Sequence, residues 1–155
     1  MSTKALDTEA LRSILDTVTD PEIPVLTIAD LGILRSVDVE GEKVVVTINP
    51  TYSGCPAMGQ IEDDIRAVLA REGVGDVEVR TAYSPAWSTD LITPEGRAKL
   101  EAFGIAPPVA EEEIFCPRCR ASEPRMVARF GSTACKALMV CESCREPFDY
   151  FKELK

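Results

Sequence analysis

The chain has 155 residues, 45% hydrophobic and 28% charged, with 17 Lys/Arg against 26 Asp/Glu and no histidine. That length holds one domain of ordinary size and a small appendage, not two full hydrophobic cores, and no apolar run approaches the ~20 residues of a membrane span. Without imidazole, Ser-His-Asp and Cys-His nucleophile systems, His-containing zinc sites and Glu-x-x-His di-iron sites are excluded within this chain.

Residues 1–7 lack an apolar signal core, as expected of a cytosolic protein. Leu11, Ile14, Leu15 and Val18 recur at helical spacing behind Asp7 or Thr8, and Asp20-Pro21 ends that run. Residues 33–39 and 43–48 are rich in β-branched side chains and flank Glu40-Gly41-Glu42, which predicts a hairpin. Cys55-Pro56 then opens a helix with Met58, Ile61, Ile65, Val68 and Leu69 on one face and Gly73 at its cap. A third strand is expected at 77–82, and a short helix from Thr93-Pro94-Glu95 to Phe103, closed by Gly104.

The order helix, strand, strand, helix, strand predicts an α+β fold, a small three-stranded sheet carrying helices, followed by a C-terminal four-cysteine zinc ribbon. Ala106-Pro107-Pro108 and Glu111-Glu112-Glu113 read as a stiff, charged linker over 106–114, which divides the chain into 1–105 and 115–155. Within the tail, residues 126–130 and 137–140 are strand candidates and 148–151 a closing apolar run.

Cys116-Pro-Arg-Cys119 and Cys141-Glu-Ser-Cys144, with 21 residues between them, each offer two sulfurs from one tight turn. Together they supply the four soft ligands of a tetrahedral site, zinc in a structural ribbon or iron in a rubredoxin-like one. With all four positions filled by thiolate, such a metal has no vacancy for substrate, and its role is to fold a tail too short to bury enough apolar area.

Cys135 is surplus to that quartet and reads either as a packed small residue or as part of a thiol-presenting docking loop. Cys55 begins a helix, where free N–H groups and the helix dipole favour the thiolate. A nucleophile or a cluster ligand would benefit, and a simple cap or packed residue fits the spacing equally. Upstream, Asp20-Pro-Glu22-Ile-Pro24 and the following residues to Asp30 and Gly32 form a loop stiffened by two prolines and dense in carboxylates. The only tryptophan, Trp87, is expected to anchor the third helix on the sheet.

Residues 115–155 hold 8 Lys/Arg against 5 Asp/Glu, leaving 9 against 21 for residues 1–114. So acidic a body repels phosphate backbones and suits protein partners.

Asp20-Pro-Glu-Ile-Pro-Val-Leu-Thr-Ile-Ala-Asp-Leu-Gly32 with Thr51-Tyr-Ser-Gly-Cys-Pro56 resembles the SufT-like iron-sulfur assembly domain. With Ser84-Pro-Ala-Trp-Ser-Thr-Asp90, Gly104-Ile-Ala-Pro-Pro108 and Phe130-Gly-Ser-Thr-Ala-Cys-Lys136, the chain over nearly its whole length resembles the PaaD family, accessory components of the phenylacetyl-CoA epoxidase system. The resemblance implies a cytoplasmic accessory factor of aerobic phenylacetate degradation that matures a metal centre, iron-sulfur or di-iron, and has no catalytic residue of its own. Cys55 would then handle iron or a transient iron-sulfur cluster, with Asp20, Glu22 and Asp30 shaping its neighbourhood, and the ribbon would recognise the client, one of the epoxidase subunits. One cysteine cannot hold a cluster alone, so a bridged cluster requires a homodimer, a partner or small thiols. Two alternatives stand beside this: a rubredoxin-like electron-transfer component, and a nucleic-acid adaptor acting through Arg118, Arg120, Arg125 and Arg129.

Overall fold

A computed structural model describes residues 7–51, 57–131 and 133–153, in two compact units that part between Trp87 and Ser88.

In the first unit, α1 (Thr8–Leu15) starts at Asp7, whose side chain accepts from Glu9 N at 3.0 Å. It ends earlier than the expected Val18, because Thr17 turns back onto the Ile14 carbonyl and Thr19 bridges Thr27. Strands β1 (Leu34–Glu40) and β2 (Lys43–Ile48) form the expected antiparallel hairpin. The chain crosses over through α2 (Ala57–Arg71), and β3 (Val77–Thr81) consequently runs parallel to β2. The sheet order is β1-β2-β3.

Central β2 buries Val44, Val45, Val46 and Ile48, as the unbroken β-branched run demands. The helices α1 and α2 pack on each other and bury Leu11, Leu15, Ile61, Ile65 and Leu69. At roughly 1.5–3 kcal/mol per buried aliphatic side chain, this core is large for its sheet. Trp87 is an anchor, but on the 20–32 loop: its Nε1 donates to the Leu31 carbonyl at 2.8 Å.

The second unit begins before the ribbon. Its helix α3 (Pro94–Ala102) is capped by Thr93, whose Oγ1 accepts from Gly96 N at 3.0 Å, and Gly104 at φ 90° turns the chain out of it. That turn leads directly into β4 (Ile105–Ala106), which pairs parallel with β7 (Pro147–Phe151). With β5 (Arg125–Ala128) and β6 (Lys136–Val140), these make a four-stranded sheet in the order β4-β7-β6-β5. The segment 106–114, expected as a linker, therefore gives Ala106 to this sheet and a short 3-10 turn at Glu111–Glu113. Two residues carry no detectable strand pattern, and only the pairing with β7 makes them one.

Candidate functional site

The two cysteine pairs lie on turns of identical construction. In the first, Arg120 N donates to the Cys116 carbonyl at 2.9 Å and Cys116 N to the Ala121 carbonyl at 2.9 Å. In the second, Arg145 N donates to the Cys141 carbonyl and Cys141 N to the Glu146 carbonyl, both at 3.0 Å. Each turn reverses through a left-handed residue directly after its second cysteine, Arg120 at φ 64° and Arg145 at φ 67°. An L side chain there costs about 1–2 kcal/mol, so both turns hold a conformation that glycine would adopt more easily.

The four sulfurs converge, all within 4.8 Å of one another, with Cys116 Sγ 3.8 Å from Cys144 Sγ and Cys119 Sγ 3.5 Å from Cys141 Sγ. These separations are far beyond the ~2.05 Å of a disulfide. A tetrahedron with metal–sulfur bonds of about 2.3 Å has edges of about 3.8 Å, so the quartet is already spaced for a metal ion. Cys116 and Cys141 are buried, Cys144 is half-buried and Cys119 exposed.

Proton affinities within the quartet are uneven. N–H donation from Cys144 and then Ser143, against the opposing effect of burial, lowers the Cys141 thiol to about 6. The Glu146 N–H favours the Cys144 thiolate, yet burial and the neighbouring sulfurs outweigh it and push that thiol up to about 12. Four clustered thiolates repel one another, and a divalent cation removes that repulsion.

The carboxylates expected near Cys55 sit on the loop from Asp20 to Gly32. Asp20 is buried, and its Oδ1 accepts from Glu22 N at 2.7 Å and Ile23 N at 3.1 Å. Asp30 and Thr27 cap each other, Asp30 Oδ2 accepting from Thr27 N at 3.1 Å and Thr27 Oγ1 from Asp30 N at 3.0 Å. Glu22 is half-buried between the two prolines. Cys55 itself lies outside the described residues.

What the register does bring together is one end of the first sheet. Leu34 pairs with Ile48, Ile48 with Thr81, and Asn49 N donates to the Ile33 carbonyl at 2.8 Å. The carboxylate loop, the segment leading to Cys55 and the residues after β3 thus leave the sheet at the same end. There Asn49, the chain's only asparagine and 1% exposed, donates from Nδ2 to the Pro85 carbonyl at 3.1 Å. Arg35 donates to the same carbonyl at 3.0 Å. The Asn49 Oδ1 atom is buried with no hydrogen-bond partner among the described residues. Sequence reasoning passed over Asn49; its one signal was an amide standing between a buried strand and Pro50.

The fold and the quartet define the class: an iron-sulfur assembly domain joined to a four-cysteine zinc ribbon. The iron-sulfur cluster assembly protein model matches residues 8–80, and the PaaD zinc beta ribbon domain model matches residues 106–152. The chain belongs to the PaaD family. It is 47% identical over 147 residues to a putative 1,2-phenylacetyl-CoA epoxidase component of Escherichia coli, covering 90% of this chain and 89% of that protein. It is also 37% identical to an Fe-S protein maturation auxiliary factor of Porphyromonas gingivalis, over 64% of this chain and 97% of the relative. Among solved structures, a domain of unknown function, DUF59, from Bacillus anthracis matches with a TM-score of 0.56 at 30% identity, over 60% of this chain and 90% of that one. A conserved hypothetical protein of Thermotoga maritima matches with a TM-score of 0.53 at 30% identity, over 64% and 98%.

Proposed function

We propose that this chain is an accessory maturation factor for a phenylacetyl-CoA epoxidase, handling iron or a transient iron-sulfur cluster at Cys55 while its ribbon docks to the protein being matured. The observation that carries this is the closed quartet. Four thiolates leave a tetrahedral metal no open position, so the ribbon supports structure and recognition, and the chemistry falls to the unit that matches the assembly family.

Three further features support the reading. The relatives include a putative phenylacetyl-CoA epoxidase component and, separately, Fe-S maturation factors, and the proposal combines the two roles. The loop bearing Asp20, Glu22 and Asp30 leaves the sheet at the same end as the segment leading to Cys55. Every nucleophilic route through histidine is closed.

In this reading zinc is the ribbon metal. Cys116, Cys119, Cys141 and Cys144 would hold it, and it would supply coordination energy and charge neutralisation but no reactivity. Cys55 would be the ligand or sulfur acceptor, and Asp20 and Asp30 would hold its neighbourhood rigid through the turns they cap.

The test is metal and acid-labile sulfide in protein purified without oxygen, wild type beside Cys55→Ser. About one zinc per chain in both, with iron and sulfide lost only in the variant, is the expected result. Iron in the quartet without sulfide would instead establish the electron-transfer role, since iron accepts the same four thiolates.

A further inference from the structure

We infer that the outer edge of β5 is a docking strand for an extended acidic segment of a partner protein. The inference deepens the proposed function, and rests on it only in taking that partner to be the protein being matured.

Strand β5 terminates the ribbon sheet, and none of the described residues pairs with its outer side. It carries a bulge: Arg125 faces Val140, Met126 faces Met139 and Ala128 faces Leu138, leaving Val127 without a counterpart on β6. A bulged residue is left out of the ladder, so its backbone groups are available elsewhere. Arg125, Val127 and Arg129 are exposed and Met126 and Ala128 half-buried, so along the chain an exposed apolar residue stands between two exposed cations. Val127 is 50% exposed and Phe130, in the bend after the strand, 65%.

The charges around this edge are uncommitted or held weakly. Arg129 has no ion pair among the described residues, and Arg125 meets only Glu142, at 2.9 Å between two exposed side chains. Such a pair contributes ~0–1 kcal/mol and exchanges readily for a better-placed carboxylate. Lys152 places its ammonium 4.2 Å from the centre of the Phe130 ring and donates to the Arg129 carbonyl at 3.0 Å, adding a third cation at the same end.

Charged side chains and bulges usually keep an edge strand from pairing at random. Here Arg125, Arg129 and Lys152 outnumber Glu142, so the same devices select. A basic strand is repelled, a neutral one leaves the cations unmatched, and an acidic one meets Arg125, Arg129 and Lys152 at the same edge. A phosphate backbone offers the right sign but no peptide groups to pair with the open edge of a strand.

The experiment titrates a synthetic peptide of alternating glutamate and valine into the metal-loaded full-length chain and follows backbone amides by NMR. We expect shifts confined to residues 125–130, slower exchange of the Val127 amide, and binding weakened about tenfold or more by either Arg129→Glu or Val127→Glu. Metal content and unchanged ribbon shifts elsewhere confirm that the variants fold. The lysine–valine counterpart should bind Arg129→Glu better than wild type. Shifts elsewhere, indifference to Arg129→Glu, or a stronger response of the same amides to a single-stranded oligonucleotide would overturn the inference. Repeating the titration on Cys55→Ser separates the two proposals. Equal peptide binding there upholds the docking strand whatever becomes of the iron chemistry, and loss of binding would remove it.

Discussion

Both units of this chain are built on a small sheet, yet they are held together by different means. Around β2 the first unit buries aliphatic side chains, with Leu15, Ile61, Ile65 and Leu69 at 0% exposure on its two helices. The ribbon's core cluster has Ala106, Ile114, Ala137, Met139, Phe148 and Tyr150, and its remaining two members are the metal-ligand candidates Cys116 and Cys141. Where apolar area is scarce, a bound metal would add what burial lacks, and two of the four candidate ligands are themselves packed in the core. The difference teaches where fragility lies: one unit depends on volume, the other on charge and protonation.

Removing the metal is the strongest way to break that comparison. Structural zinc contributes on the order of 10 kcal/mol in small sites, so a chelator should unfold the ribbon and leave the first sheet's amides protected from exchange. Retained, dispersed ribbon resonances after chelation would show that its apolar cluster suffices. Acid should reach the same state more gradually, because protons compete with metal for thiolate. The Cys141 thiol is depressed to about 6, so its contribution is complete above its unfolded value and is lost as pH falls through that region. Metal release followed by a chromogenic chelator should therefore rise on acidification, with the Cys144 thiolate taking up a proton before that of Cys141 in the metal-free protein.

On the other side of the comparison, Ile61→Ala should cost about 2–5 kcal/mol by leaving a cavity between α2 and the sheet. Denaturant unfolding should register the loss while bound metal per chain stays constant; a fall in metal content would mean that the units are not energetically separate. A smaller effect, about 1–3 kcal/mol, is expected of Asp20→Ala, which strips the Glu22 and Ile23 amides of their acceptor. If iron and sulfide retention fell with Asp20→Ala while thermal stability barely moved, the carboxylate would act on the site directly and not through its turn.

Much of this was legible beforehand because it is local. The Asp7 and Thr93 caps, the hairpin around Gly41 and the aliphatic face of α2 follow from periodicity and turn chemistry within a few residues. The cysteine quartet was visible because two Cys-x-x-Cys turns imply a shared ligand. Other features had no local signal. The early end of α1 depends on Thr19 reaching Thr27, the ribbon's inclusion of Ile105 and Ala106 depends on β7, and Asn49 acquires meaning only beside the Pro85 carbonyl.

The amino-acid sequence by itself determined most of the elements, the two Cys-x-x-Cys pairs and the absence of imidazole chemistry, because each is written in residue types at short spacing. The tertiary structure decided which ends meet. It gathered the carboxylate loop, Asn49 and the residues after β3 at one end of the first sheet, and it left β5 with a bulged, cationic outer edge. These outcomes depend on strand register, which is set by the burial of whole faces and so cannot be read from any one segment.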